Sequence, residues 1–405
     1  MQGKNKKLIQ INTVCNASTG RIMGDIQREA IRQGYDTFSF VGRRKPFPDI
    51  PCEKFGNFFS FWGHVVMNTV FDRQGYGSYF STKKLIRRLR EEQPDIIHLH
   101  NLHGYYLYLP ALFRYLKQEF TGQIFWTFHD CWPFTGHCPY FTMIGCNKWE
   151  EKCYACPNKR SYPISLFFDA STRNYKDKRR MFSGFSNLTI ITPSAWMEKL
   201  VKKSFMNQYP TEIISNGIDL SIFTYTKDSS IYAKYNIPRN KKVLLGVANI
   251  WDQRKGLDDF LALSKEISDE YRIILVGLSK SQIRKLPRNV IGIVRTENQR
   301  ELVALYSLAE IFVNPSLEES FSLVTVEAIA CGTPVIVLDT SAVKELVTTE
   351  NGIVLHKHGT QEYLAAIREI EGLQLQRKEI SRTAEKYDNC KTAERVVDLY
   401  RKSYE

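Results

Sequence analysis

The sequence predicts an α/β protein of two domains, each a parallel sheet with helices on both faces, and three observations carry that reading. First, 405 residues are enough for two domains with a core each. Second, Asn314 to Val337 (NPSLEESFSLVTVEAIACGTPVIV) reads as strand end, loop, helix and strand. The apolar run Ile311-Phe312-Val313 stops at Asn314-Pro315, and Ser322 stands where a helix N-cap belongs. Cys331-Gly332 closes the helix, and Thr333 to Val337 begins another buried strand. Third, the chain opens the same way, with apolar Lys7 to Val14, a small-residue loop from Cys15 to Gly20, and a helix to Gln33.

Composition narrows the class. Hydrophobic residues make up 43% and charged residues 24%, ordinary for a soluble globular chain. No run approaches the roughly eighteen apolar residues of a spanning helix, and no signal peptide opens the chain, so a cytoplasmic protein is expected. The net charge of +13 is uneven: residues 1–225 hold 30 Lys+Arg against 18 Asp+Glu, and the remainder 26 against 25. Nucleic acid is not the expected partner, because helix-turn-helix, zinc-finger and RNP patterns are all missing. An anionic membrane face or a lipid-pyrophosphate acceptor suits the basic half better, beside the plainer reading of a solvated surface.

In chain order, Tyr35 to Val41 is the second strand. Residues 57–71 (NFFSFWGHVVMNTVF) crowd aromatics, and Lys83 to Arg90 (KKLIRRLR) is a basic amphipathic helix; together they read as a membrane-surface segment or as a core helix with a solvated face. Pro94 to His100 is a strand that delivers His100, Asn101 and His103 to its end, and Ile124 to Thr127 delivers Phe128-His129-Asp130 to the same rim. His129 there is a binding or proton-handling candidate. Cys138, Cys146, Cys153 and Cys156 follow at spacings x7, x6 and x2, with Cys131 just upstream. The last pair is C-x2-C, half of a tetrahedral zinc centre, and four thiolates would make the site structural; four buried free thiols is the alternative. Ser194 caps a helix after the strand Leu188 to Pro193.

Residues 224–240 read as a polar, irregular linker between domains spanning 1–225, with a cysteine-rich insertion at 131–160, and 240–385. Strands follow at Lys242–Ala248, Arg272–Gly277 and Val290–Val294, and the helix Glu301–Ala309 leads into Ile311. Trp251 to Gly256 places Arg254 and Lys255 at a strand end, where two cations could neutralise a departing diphosphate. The rim after Ile311–Val313 carries Glu319 and Glu327, and carboxylates beside a helix start suit a ligand with both phosphates and hydroxyls, as a sugar nucleotide has. The last helix, within 386–405, is expected to cross back to the first domain.

These residues resemble the retaining GT-B glycosyltransferases of family 4 (glycosyl transferases group 1). The signature E-x7-E followed by small-Gly-x-Pro-Val falls in register at Glu319, Phe321, Leu323, Glu327, Ala328, Gly332, Pro334 and Val335, with Ser320 and Ser322 where the commonest form has glycines. The PDIIHLH and TFHD stretches resemble the same family. The insertion from His129 through Trp132, Thr135-Gly136 and Cys156-Pro157 resembles its colanic-acid and exopolysaccharide branch. The resemblance implies two Rossmann-like domains facing a cleft, and transfer of a hexosyl unit with retention from a UDP- or GDP-sugar to a lipid-linked or oligosaccharide acceptor. It implies that Glu319 and His129 orient the sugar, Lys255 and Arg254 stabilise the leaving phosphate, and Glu327 holds the ribose. Ser320, Phe321, Ser322, Leu323, Thr19 and Gly20 would line the donor, with Asn249 standing where the family has an Arg. With D-x-D missing, no catalytic metal is expected. Peripheral work on the inner membrane face follows from the basic half. The rivals are a UDP-sugar 2-epimerase of the same fold and a binding protein without transfer activity.

Overall fold

A computed structural model of the chain describes residues 5–15, 18–43 and 49–404. It forms two compact units, residues 1–215 with 390–405, and residues 216–389. In the first, seven strands make one sheet: β1 (Lys7–Asn12), β2 (Asp36–Val41), β3 (Cys52–Lys54), β4 (Ile96–Leu99), β5 (Gln123–Thr127), β6 (Leu188–Thr192) and β7 (Thr211–Ile213). Their order is β3-β2-β1-β4-β5-β6-β7 and every pairing is parallel. The chain therefore winds outward from β1 to β3, returns to β4, and winds the other way. The reversal between β1 and β4 is the switch point where such sheets bind ligands.

Both faces of this sheet are covered, as parallel sheets require. Successive residues point to opposite faces, so Ile9, Ile97, Ile124 and Ile190 enter one core while Leu8, Ile96, Phe125 and Ile191 enter the other. The second face is closed by Ile22, Ile26 and Ala30 of the helix Ser18–Arg32 and by Ala393, Val396, Val397 and Tyr400 of the helix Asn389–Lys402. The Tyr400 hydroxyl reaches His98 Nδ1 on β4, which pins the last helix to the first unit.

The second unit holds β8 (Lys242–Val247), β9 (Tyr271–Val276), β10 (Val290–Ile293), β11 (Ile311–Asn314), β12 (Val335–Leu338) and β13 (Gly352–Leu355). Their order is β10-β9-β8-β11-β12-β13, again all parallel, with the reversal between β8 and β11. The stretch 224–240 differs from an irregular linker. It contains the helix Ser230–Lys234, and Ile231 and Ile237 are buried in the second unit's core. Each of the two stands singly in a stretch rich in Ser, Thr, Asn and charged residues, which hides the pair from a reading by composition.

Candidate active site

At the switch point of the second sheet, the loop after β8 meets the loop after β11. The turn Gln253–Lys255 is held by Asp252, whose carboxylate accepts from the Lys255 N–H, and by Gly256 at φ 71°. Leu317 N–H donates to the Arg254 carbonyl, locking the two loops together. Lys255 Nζ forms an ion pair with Glu319 Oε1, and Arg254 Nη1 donates to the Glu318 carbonyl at 2.8 Å, lying 3.9 Å from Glu319 Oε2. The Glu319 backbone is fixed from the other side, its N–H donating to Ser341 Oγ at 2.9 Å. Burial pushes the Glu319 carboxyl up, but the charges of Lys255 and Arg254 and hydrogen bonds from Lys255 and Ser316 outweigh it and hold it below the usual range. A buried carboxylate is thus kept ionised by two cations placed beside it.

The helix Leu323–Ala330 starts at this rim. Ser322 occupies the N-cap position but does not cap with its side chain. Its Oγ instead bonds Asn314 Nδ2 and Thr325 Oγ1, at φ 96°. That left-handed backbone is the physical reason a glycine suits this position. Glu327 is buried one turn into the helix, where Oε2 accepts from the Tyr306 hydroxyl at 2.9 Å. Phe321 turns into the core against Tyr387, Leu323 packs against the same core, and Ser320 stays half-buried. Asn249 is exposed in the loop after β8.

The first unit has its own polar rim at β1 and β4. Asn16 and Ala17 of the expected loop lie outside the described residues. Thr19 Oγ1 accepts from Asn12 Nδ2 at 3.4 Å, and Gly20 is required because a Cβ there would sit 2.2 Å from the Cys15 carbonyl carbon. His129 belongs to a relay that sequence reading did not reveal. Gln10 Nε2 donates to the Met23 carbonyl, so Gln10 Oε1 accepts from His100 Nε2 at 3.0 Å, leaving His100 Nδ1 to accept from His129 Nε2 at 3.1 Å. Burial pushes His129 down to about 4 and His100 well below its usual value, so both are neutral at pH 7 and His129 carries its proton on Nε2. Asp130 next to it receives His103 Nε2 at 2.7 Å and is held low by that imidazole against the effect of burial.

Cys138, Cys146, Cys153 and Cys156 line one small cavity together with His137, Phe141 and Trp149. The thiols are engaged: Gly136 N–H donates to Cys153 Sγ at 3.1 Å, and a hydrogen bond between Cys138 and Cys156 lowers the Cys156 thiol and raises Cys138. Among the described residues, no group of three or more His, Cys, Asp or Glu side chains is arranged to hold a metal ion. The donor set suits zinc in kind, and the sulfurs surround one space, but they are not drawn to a common point.

The basic helix Tyr79–Glu92 has the form of the second reading given for it, a core helix with a solvated basic face. Its apolar residues Leu85, Ile86 and Leu89 face the core, while Lys84, Arg88 and Arg90 pair with Glu53, Glu92 and Glu119. The aromatic helix Phe58–Phe71 instead keeps Phe58, Phe59 and Trp62 exposed. No helix among the described residues is long and apolar enough to cross a membrane.

Two doubly wound parallel sheets, one bearing a carboxylate clamped by two cations at its switch point, have the GT-B fold. The profile described as Glycosyltransferase Family 4 matches residues 19–222, just over half the chain, and that of glycosyl transferases group 1 matches residues 241–371. The chain belongs to glycosyltransferase family 4. It is 23% identical over 298 residues to the putative colanic acid biosynthesis glycosyl transferase WcaC of Escherichia coli, covering 71% of this chain and 70% of that one. Further curated glycosyltransferases align over about half of their length or less. Among solved structures, sucrose-phosphate synthase of Thermosynechococcus elongatus superposes with a TM-score of 0.72 at 18% identity over 99% of both chains. The Anabaena protein HepE, solved with UDP and glucose, superposes at 0.68 and 16% identity over 98% of this chain and 100% of that one.

Proposed function

We propose that this glycosyltransferase moves a hexosyl unit, with retention of configuration, from a UDP- or GDP-sugar to an oligosaccharide carried on a lipid. The product would serve exopolysaccharide, capsule or lipopolysaccharide synthesis, the enzyme working at the inner membrane face. The observation that carries the reading is the buried Glu319 clamped by Lys255 at the β8/β11 switch point. Lys255 and Arg254 stabilise the diphosphate as it leaves, Glu319 and neutral His129 orient the sugar, and Glu327 holds the ribose. The complex of the Anabaena structure and the name of the Escherichia coli relative support the donor and pathway classes. A 2-epimerase is the less favoured alternative, since both family profiles are those of transferases. Incubation with a panel of UDP- and GDP-sugars tests this: slow hydrolysis that releases the nucleoside diphosphate is expected, and epimerisation in its place overturns it.

Glu327→Ala is expected to weaken nucleoside diphosphate binding about 10- to 100-fold, the loss of a charged acceptor from ribose hydroxyls. The same change leaves the buried Tyr306 hydroxyl without its acceptor, so Tyr306→Phe is the control. It removes that bond and keeps the carboxylate, and it should bind within a few-fold of wild type in calorimetry. Equal losses in both variants would make Glu327 a packing residue alone.

We also propose that zinc draws Cys138, Cys146, Cys153 and Cys156 together as a structural site, on the ground that all four line one cavity. Four thiolates would complete a tetrahedron and leave no open position for chemistry. Elemental analysis of protein purified without added zinc is expected to find about one equivalent. Absence of metal, with all four thiols reactive in the folded protein, counts against it.

A further inference from the structure

One apolar surface of the first unit belongs to neither of its cores. Phe58, Phe59, Trp62 and Val66 lie at helical spacing along Phe58–Phe71 and are 69, 85, 50 and 57% exposed. The segment 164–168 packs on the last turn of the same helix and adds exposed apolar side chains there. Leu166 and Phe168 donate backbone N–H groups to the Thr69 and Val70 carbonyls at 2.8 and 3.2 Å, and Phe168 stacks on Phe71 with centroids 5.7 Å apart. Asn68 Nδ2 donates to the Ile164 carbonyl, so the segment is bonded to the helix at three points. Exposed aromatics grouped on one firmly held helix mark a contact surface.

The ridge has a polar root. Phe61, on the same helix, meets Tyr105 edge-on at 5.9 Å, and Tyr105 meets Tyr162 at 6.2 Å. The Tyr162 hydroxyl bonds His103 Nδ1 at 2.9 Å, and His103 passes on to Asp130, beside His129. Arg43 holds its guanidinium 5.1 Å over the Phe61 ring, while its backbone N–H donates to the Thr13 carbonyl just after β1. Arg43 Nε is buried without a hydrogen-bond partner, and among the described residues no carboxylate pairs with this guanidinium. A buried N–H on a fixed charge calls for an acceptor, and a guanidinium fits phosphate oxygens in pairs.

We infer that Arg43 and the ridge form one amphipathic seat, which takes the phosphate of a lipid-linked acceptor on the guanidinium and its hydrocarbon along the helix Phe58–Phe71. This rests on the reading that the first unit receives a lipid-linked acceptor, and it names where the anionic link and the tail bind. Both parts of the seat belong to one ligand because they share Phe61. That ligand must also reach the β1/β4 switch point, since the seat continues through Tyr105, Tyr162 and His103 to the rim. Fourteen helical residues offer about 20 Å of apolar length, enough for an isoprenoid of several units.

The test is calorimetry with farnesyl phosphate, farnesol and inorganic pyrophosphate, all kept below micelle formation. Wild type is expected to bind farnesyl phosphate at least about tenfold more tightly than farnesol or pyrophosphate, one charge-assisted contact's worth. Arg43→Ala should lower affinity for farnesyl phosphate to that for farnesol, while Phe59→Ser/Trp62→Ser should weaken both prenyl compounds. UDP titrated into the same variants controls for a folded second unit. Loss of UDP binding in wild type would strike the donor reading and leave the seat standing. Equal affinity for farnesol and farnesyl phosphate, or an Arg43→Ala variant that binds as wild type, overturns the seat. So does binding to anionic vesicles that needs Phe59 and Trp62 but neither Arg43 nor a phosphorylated prenol, which would assign the ridge to the bilayer.

Discussion

Lys255→Ala is expected to lower kcat by about 10²- to 10³-fold, the loss that follows removal of one preorganised donor at a developing oxyanion. KM for the sugar nucleotide should move much less, because charge on the leaving phosphate grows toward the transition state. Lys255 rather than Arg254 is expected to carry the larger share. Lys255 Nζ pairs with a carboxylate that a bound sugar can share, whereas Arg254 Nη1 is committed to the Glu318 carbonyl at 2.8 Å. The position is set in advance by Asp252 and by the Leu317 bond to the Arg254 carbonyl, so little reorganisation accompanies the reaction. Removing Lys255 also leaves Glu319 buried beside one distant cation, which costs stability on the order of 3–5 kcal/mol when a buried pair is broken. The double variant Lys255→Ala/Glu319→Gln separates the two effects, restoring stability without restoring kcat. A single variant that raises KM alone, at unchanged kcat, would remove Lys255 from the leaving group.

Much of this arrangement was legible because it is local. Strand ends, Gly332 and the acidic pair at Glu319 and Glu327 sit within one stretch of chain, and periodicity with turn residues marks all of them. What stayed hidden depends on contacts far apart in sequence. Tyr306 lies on the preceding helix and nothing in its neighbourhood announces that it binds Glu327. Gln10 and His100 are separated by 90 residues and meet only because β1 and β4 are adjacent at the switch point. The basic run Lys83 to Arg90 left two readings open for a related reason. Its composition is that of a surface-seeking helix, but its carboxylate partners Glu53 and Glu119 come from other elements and cannot be seen from the run itself. Ser322 is the intermediate case: the N-cap position was evident, while the left-handed backbone that diverts its hydroxyl to Asn314 was not.

The first unit is expected to lose stability steeply as pH falls below about 6.5, and four buried histidines supply the reason. Burial pushes His64 and His98 down to about 3 and His129 down to about 4, and His100 well below its usual value. In each case the folded protein resists a proton that the unfolded chain accepts, so stability is full above 6.5. It falls by up to about 1.4 kcal/mol per pH unit for each group until the folded value is reached. The hydrogen bonds agree with these directions. His64 Nε2 accepts from the Gly75 N–H at 2.9 Å, and a protonated ring would set donor against donor there. Protonating His100 does the same at its 3.1 Å bond with His129, whose Nε2 already donates there. His137 opposes the trend. Burial lowers it, but its bond to Asp72 outweighs burial and raises it, so its contribution is present at low pH and fades as pH rises through its folded value. Four groups against one leave a net acid lability. Calorimetric scans from pH 8 to pH 5 should show a first-unit Tm that drops steeply once the pH falls below about 6.5. His64→Gln, which keeps an acceptor for the Gly75 N–H without a basic nitrogen, should make the slope shallower. A transition that holds its temperature down to pH 5 would mean that these imidazoles are not buried in their neutral form.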